Sequence, residues 1–291
     1  MKDFAYTAAT TVDEAVGLLA AQGERAKVLA GGTDIIVQLR EGLRDADLVV
    51  DVKKIAELME LQFDPSTGLK LGASVPCYRI YEHAAVAKAY PALADSAKII
   101  GGWQIQSRAS IGGNLCNSSP AADSTPSLIA LDATCEIAGP SGRRQVPVAQ
   151  FCTGVGKNVL GRGEFLVALR MPPPERAAGS QYLRFIPRNE MDIAVVGVGS
   201  WLRLNADGTI AAARIAVGAV AVTAQVAAEA SQYLVGRHAT EEMFAAAGEL
   251  AKKVSRPISD KRGPAEYRTH LVGVLTKRTL LAATERAKQA S

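Results

Sequence analysis

Residues 1 to about 54 alternate between strand-like and helix-like text, a rhythm that few architectures accommodate. "FAYTA" reads as a short strand. "TVDEAVGLLAAQ" reads as a helix, with Ala15, Val16, Leu19 and Ala20 at helical spacing. Thr11 stands in the capping position, with Glu14 three residues on. "KVLA" follows as a buried strand, "DIIVQLREG" as a short helix ended by Gly42, and "DLVVDV" as a third strand. Strand–helix–strand repetition of this kind predicts a small α/β unit.

A second unit follows over about residues 55–176. "ELMELQFDPSTGLKLGASV" predicts two strands about a Pro-Ser-Thr-Gly turn, then helical text runs from about Tyr78 to Ile99, interrupted by Pro91. "SIGGNLCNSSPAADS" (Ser110 to Ser124) reads as a polar loop, without the apolar period of a core strand or an amphipathic helix. "PSLIALDA" reads as a helix, "TCEIAGPSGRRQVPV" as a hairpin and "FLVALRMP" as a strand. Pro172-Pro173-Pro174 through Gly179-Ser180 marks a linker.

Beyond it the texture changes. "QYLRFIP", "AVVGVGSWLRL" and "AAARIAVGAV" predict a three-stranded antiparallel sheet, turning at Asp207-Gly208 between the last two. Three helices follow. The last runs from about Ala265 to Lys288, with an apolar stripe of Tyr267, Leu271, Val274, Leu275, Leu281 and Ala282. The class is therefore α+β, a two-part α/β region over 1–176 and an α+β region over 177–291.

Composition narrows the function. With 48% hydrophobic and 21% charged residues, the chain of 291 residues is globular and long enough for one large or two ordinary domains. A net charge of +4, without a basic stripe interleaved with aromatics, argues against nucleic acid. No apolar run approaches ~18 residues and the N-terminus lacks a signal-type apolar core, so no membrane insertion and a cytoplasmic location are expected. Cys77, Cys116, Cys135 and Cys152 are isolated, which disfavours an iron–sulfur or zinc site. His83, His238 and His270 are scattered in helix-like text, where a metal or catalytic role is disfavoured.

Two glycine pairs carry the chemistry. Gly31-Gly32-Thr33-Asp34 joins a strand to a helix, where backbone amides approach a ligand closely. Taken alone this is either a structural turn or an anion cradle; it has neither the G-x-G-x-x-G spacing nor a following Gly-Lys-Ser/Thr. Gly112-Gly113 repeats the device, flanked by Ser110, Asn114, Asn117, Ser118 and Ser119 as hydrogen-bonding groups. Together they predict a large, polar, diphosphate-bearing ligand held between two units.

"AGGTDIIVQLREG" with "ASIGGNLCNSSPAADSTPSLIALDA" resembles the FAD-binding medium subunit of the molybdenum hydroxylases, the family of xanthine dehydrogenase and carbon monoxide dehydrogenase. "YLRFIPRNEMDIAVVGVGSWL" and "AEYRTHLVGVLTKRTLLAA" extend the resemblance over nearly the whole chain. It implies an FAD-binding domain of the vanillyl-alcohol oxidase (PCMH) type over 1–176, then a carbon monoxide dehydrogenase flavoprotein-like domain over 177–291. The first loop, Val28, Leu29, Ala30, Gly31, Gly32, Thr33, Asp34 and Ile35, would bind the cofactor, with Gly31, Gly32 and Thr33 facing the FAD diphosphate. Ser110, Ile111, Gly112, Gly113 and Asn114 would close over it, with Ser119 adding a polar contact. Asp123 would accept hydroxyls of the sugar or ribityl chain, Ile100 and Leu166 would pack on the isoalloxazine, and Arg184 would place a cation near the ring.

Two features depart from the family pattern: Gln106-Ser107 stands in place of Arg-Asn, and Arg184 in place of Lys. Cys116 lies inside the motif, where either covalent flavin attachment or a packed thiol could be imagined; the resemblance implies non-covalent FAD and a packed thiol. The resemblance further implies an electron-transfer role, with no catalytic residue beyond the flavin and no metal on this chain. Partners would be a small subunit with two [2Fe–2S] clusters and a large subunit with the molybdenum cofactor, as a heterohexamer with two copies of each. The competing readings are a self-sufficient flavin oxidoreductase and a flavin-free scaffold or assembly paralogue.

Overall fold

The computed structural model describes residues 2–290. Its first unit contains β1 (Ala5–Ala8), α1 (Val12–Gln22), β2 (Ala26–Leu29), α2 (Ile35–Arg40) and β3 (Leu48–Asp51). The strands form a parallel sheet in the order β1-β3-β2, with β3 central and buried along its length. Thr11 caps α1 as its spacing predicts: its hydroxyl accepts from the Glu14 amide at 3.1 Å, while Glu14 reaches back to the Thr10 amide at 2.8 Å.

The second unit opens with the hairpin β4 (Leu61–Asp64) and β5 (Gly68–Gly72). The helical text after it breaks into α3 (Cys77–Glu82), α4 (Ala84–Ala89) and α5 (Pro91–Ala97). Pro91 therefore starts a helix instead of interrupting one, since its missing N–H costs nothing at a first position. Short helices α6 (Trp103–Gln106) and α7 (Ile111–Cys116) precede α8 (Ser124–Ala130). The stretch read as a polar loop is thus partly helical, because Ser110 caps α7 by accepting from the Gly113 amide at 3.0 Å. Then come β6 (Thr134–Gly139), β7 (Gly142–Pro147), α9 (Val148–Phe151), the small pair β8 (Cys152–Gly154) and β9 (Lys157–Asn158), and β10 (Phe165–Met171). The main sheet has the order β4-β5-β10-β6-β7, antiparallel throughout.

The third sheet contains β11 (Ala178–Phe185), β12 (Val196–Leu204), β13 (Ile210–Gly218) and β14 (Gln225–Val226), in that order. It has four strands where three were expected; β14 is a two-residue edge pairing too short to show a period. Strand β11 also takes in Gly179-Ser180 from the stretch read as linker. Helices α10 (Ala228–Leu234), α11 (Glu241–Ala251) and α12 (Ala265–Gln289) cover this sheet. The buried stripe of α12 runs through Arg268, Val272, Leu275, Thr279 and Ala283, leaving Tyr267 and Leu281 exposed. Its face is set by the sheet's small residues, since a Cβ on Gly179 would lie 2.1 Å from the Ala283 carbonyl oxygen.

Helix α8 joins the second unit to the third. A Cβ on Gly199 would lie 2.5 Å from the Pro126 carbonyl oxygen, and one on Gly218 2.8 Å from the Pro126 ring. One apolar cluster accordingly includes Leu128 of α8 together with Tyr182, Trp201 and Ala216 of the third sheet. No helix among the described residues is long and apolar enough to cross a membrane.

Candidate functional site

A cavity of about 470 Å³ opens between the first two units and the start of the third, a volume in the range of ligand pockets. The turn after β2 forms one wall. Gly31 is pressed against the neighbouring chain, where a Cβ would sit 2.1 Å from the Arg108 carbonyl oxygen, and Gly32 takes a left-handed φ of 80°. Among the described residues, no backbone carbonyl accepts from the amides of Gly31, Gly32, Thr33 or Asp34. Backbone donors without acceptors beside a cavity are suited to an oxyanion. Burial pushes the Asp34 carboxyl up; it accepts from the Asn117 side chain at 3.4 Å, and Asn117 in turn accepts from Gln38 at 2.9 Å.

The start of α7 forms the opposing wall, and its two glycines differ. Gly112 packs on β5's continuation, where a Cβ would be 2.5 Å from the Ala73 carbonyl oxygen; a Cβ on Gly113 would meet only the Ser110 hydroxyl, at 3.1 Å. Gly112 thus allows packing and Gly113 leaves room. Asn114 accepts from the Ser124 amide (3.2 Å) and hydroxyl (2.6 Å), fastening α7 to α8. Gln106, in the departing Gln106-Ser107 pair, is buried and donates to the Lys98 carbonyl at 2.6 Å while accepting from Tyr81 at 3.0 Å.

Asp123 lies in the cavity wall just ahead of α8. It accepts from the Tyr182 hydroxyl at 3.0 Å and from the Arg184 guanidinium at 2.7 Å. Burial pushes its carboxyl up to about 6, against the pull of Arg184 and Tyr182. Arg184 does not line the cavity; its charge is engaged by Asp123 instead of standing free beside a ligand.

Ile100 and Leu166 line the cavity together, as do Val28, Ala30, Ile35 and Ser119. Leu29 and Ile111 do not. Alternation along β2 sends Leu29 to the opposite face, among Leu39, Ala46 and Val49, and Ile111 points into the central core. Sequence reading missed Ser74, whose buried hydroxyl has no partner among the described residues, and the lining segment Met191, Asp192, Ile193 and Ala194. Nothing local signals them beyond the left-handed φ of 55° at Met191, visible only in the fold.

These residues fit a flavin dinucleotide: unpaired amides for a diphosphate, a carboxylate for hydroxyls, and apolar Ile100 and Leu166 for a flat ring. Cys116 also lines the cavity, but burial pushes its thiol up to about 12, leaving it protonated and a poor nucleophile for covalent attachment. No metal-ligating cluster of three or more His, Cys, Asp or Glu occurs among the described residues.

Residues 2–174 match the FAD binding domain in molybdopterin dehydrogenase, and residues 181–283 match the CO dehydrogenase flavoprotein C-terminal domain. The chain is 35% identical over 290 residues to the xanthine dehydrogenase FAD-binding subunit of Escherichia coli O157:H7, covering 99% of this chain and 98% of that one. It is 32% identical over 283 residues to the carbon monoxide dehydrogenase medium chain of Hydrogenophaga pseudoflava, covering 97% and 98%. Among solved structures, it superposes on a chain of carbon monoxide dehydrogenase from Hydrogenophaga pseudoflava with a TM-score of 0.93 (32% identity, 98% of each chain). A chain of quinoline 2-oxidoreductase from Pseudomonas putida 86 gives 0.90 (31% identity, 99% of each).

Proposed function

The chain belongs to the family of FAD-binding subunits of the molybdopterin dehydrogenases, and from that membership we propose that it carries electrons from a partner's [2Fe–2S] clusters through FAD to an external acceptor. A small iron–sulfur subunit and a large molybdenum-cofactor subunit would complete the enzyme, two copies of each. Residues 1–176 form the FAD-binding domain in this reading and 177–291 the C-terminal flavoprotein domain. The observation that carries it is the meeting of the unpaired Gly31–Asp34 amides, Gly113 and Asp123 in one cavity.

Bound FAD supplies the exchange between one- and two-electron transfer. The chain's own residues hold and orient it. The amides of Gly31, Gly32 and Thr33 would hold the diphosphate, together with the Gly112-Gly113 start of α7. Asp123, fixed by Tyr182 and Arg184, would accept ribityl or sugar hydroxyls, and Ile100 and Leu166 would pack on the ring. Substrate recognition is assigned to the large subunit.

The test has two readouts. Purified protein should carry non-covalent FAD, released on denaturation. Anaerobically, purines, aldehydes, N-heteroaromatics and carbon monoxide should leave the lone chain's flavin oxidised, and one of them should bleach it once both partner subunits are added. Bleaching of the lone chain would mean a self-sufficient oxidoreductase, and a folded chain that takes no FAD would mean a scaffold.

A further inference from the structure

Just outside the cavity, Lys53 makes contacts that the site described above does not account for. Its ammonium lies 2.9 Å from the Ala30 carbonyl oxygen and 2.7 Å from Asp51 Oδ2. Asp51 is itself fixed: it is buried at the end of β3, accepts from the Lys53 amide at 2.9 Å and accepts from the Tyr6 hydroxyl of β1 at 2.8 Å. The ammonium is therefore tied to β1 and β3 through Asp51 and Tyr6, and its target is the peptide just past β2 that enters the glycine turn.

We propose that Lys53 is a positioning residue for the FAD diphosphate, holding the Ala30 carbonyl outward and so turning the Gly31 N–H into the cavity. A planar trans peptide points its C=O and N–H in opposite directions, and no cis peptide occurs among the described residues. Lys53 does not line the cavity whereas Gly31 does, so a carbonyl drawn toward Lys53 leaves the amide of the same peptide facing the ligand. Among the described residues no backbone carbonyl takes that amide. Arg108 repeats the arrangement one peptide on, its Nε lying 3.3 Å from the Gly31 carbonyl oxygen.

The need for such a hold follows from the glycines. A peptide followed by glycine rotates at little steric cost, and the rotated form would aim a carbonyl oxygen at the diphosphate. Asp51 balances the charge of Lys53, so the residue acts through the orientation of the Ala30–Gly31 peptide and not as a bare cation. This inference rests on the FAD reading above.

The experiment titrates flavin-free full-length chain with FAD, ADP and riboflavin. ADP carries the diphosphate without the flavin; riboflavin carries the ring without phosphate. Lys53→Met should weaken FAD and ADP by roughly tenfold or more, the scale of a lost charged hydrogen bond, and leave riboflavin unchanged. Lys53→Arg, which keeps a charged donor, should recover most of that loss. Because Lys53→Met strands a buried carboxylate, the double variant Asp51→Asn/Lys53→Met is measured beside it and should show the same selective loss. Wild-type affinity for ADP in the double variant, or equal weakening of ADP and riboflavin, would overturn the proposal. A wild-type chain that takes neither FAD nor ADP would overturn the functional reading itself, and this inference with it.

Discussion

Asp123 Oδ2 accepts a 2.7 Å hydrogen bond from Arg184 Nη1, joining the residue ahead of α8 to strand β11. Both side chains are nearly buried, so the cation expected near the ring is paired with a carboxylate inside the protein. Removing either partner should therefore change the cavity's charge, in opposite senses.

With FAD bound, Arg184→Gln leaves the carboxylate unbalanced and should lower the flavin midpoint potential. Asp123→Asn leaves the guanidinium unbalanced and should raise it. Each shift should amount to ~1 kcal/mol or more, read by redox titration. Shifts of the same sign would show that the pair does not face the ring. Arg184→Gln should also cost ~3–5 kcal/mol in urea unfolding, because it strands a buried charge.

Asp123 should leave a signature in stability against pH. Its folded carboxyl stands at about 6 against an ordinary 3.8, so the folded chain binds the proton more tightly than the unfolded one. That contribution is fully present below about pH 4 and is lost as pH rises through 6, amounting to as much as ~3 kcal/mol. Relative to Asp123→Asn, the wild type should lose stability over this window, measured by denaturant unfolding at fixed pH steps. A constant difference between the two proteins would place the carboxyl near its ordinary value.

The two glycines of α7 should respond differently to valine. Gly113→Val should fold, by far-UV circular dichroism, and lose FAD. Gly112→Val meets the Ala73 backbone and should destabilise by ~3 kcal/mol or more before binding is even at issue. Full FAD retention in folded Gly113→Val would remove that turn from the site.

Arg286 of α12 clasps Asp95 of α5 through two bonds, at 2.7 and 3.1 Å, and also donates to the Ser180 carbonyl at 2.7 Å. Arg286→Ala should lower the melting temperature by about 2–4 °C for each kcal/mol lost. Calorimetry should also show a broader transition as the third sheet loosens from the second unit. An unchanged, equally sharp transition would mean the apolar contacts of α8 suffice.

Legibility followed locality. The strand–helix alternation and the Thr11 cap of the first unit are short-range patterns, and both glycine pairs stood out because glycine restricts so little. The stretch from Ser110 was harder, since its helix owes Gly112 to Ala73, on a segment distant in sequence. Ile100 and Leu166 followed from resemblance and do line the cavity, while Leu29 shows that a run of residues on a strand cannot all face one way. The resemblance places a cation at Arg184, but no sequence pattern reveals that Asp123 lies opposite it. Ser74 and the Met191–Ala194 segment enter the wall only when three units close on one another.

The seating of Pro126 against Gly199 and Gly218 bears on how such chains can be recombined. A segment ending at the Pro172-Pro173-Pro174 run would keep both glycine turns, yet forfeit the cation opposite Asp123 and the wall residues Ile193 and Ala194. A chimera that joined this front half to a relative's back half would inherit a workable cavity only if the incoming sheet brought small residues to face the proline and a basic residue to face the acid. The proline run is a natural place to cut the chain, but what must be matched across the cut lies some distance from it on both sides.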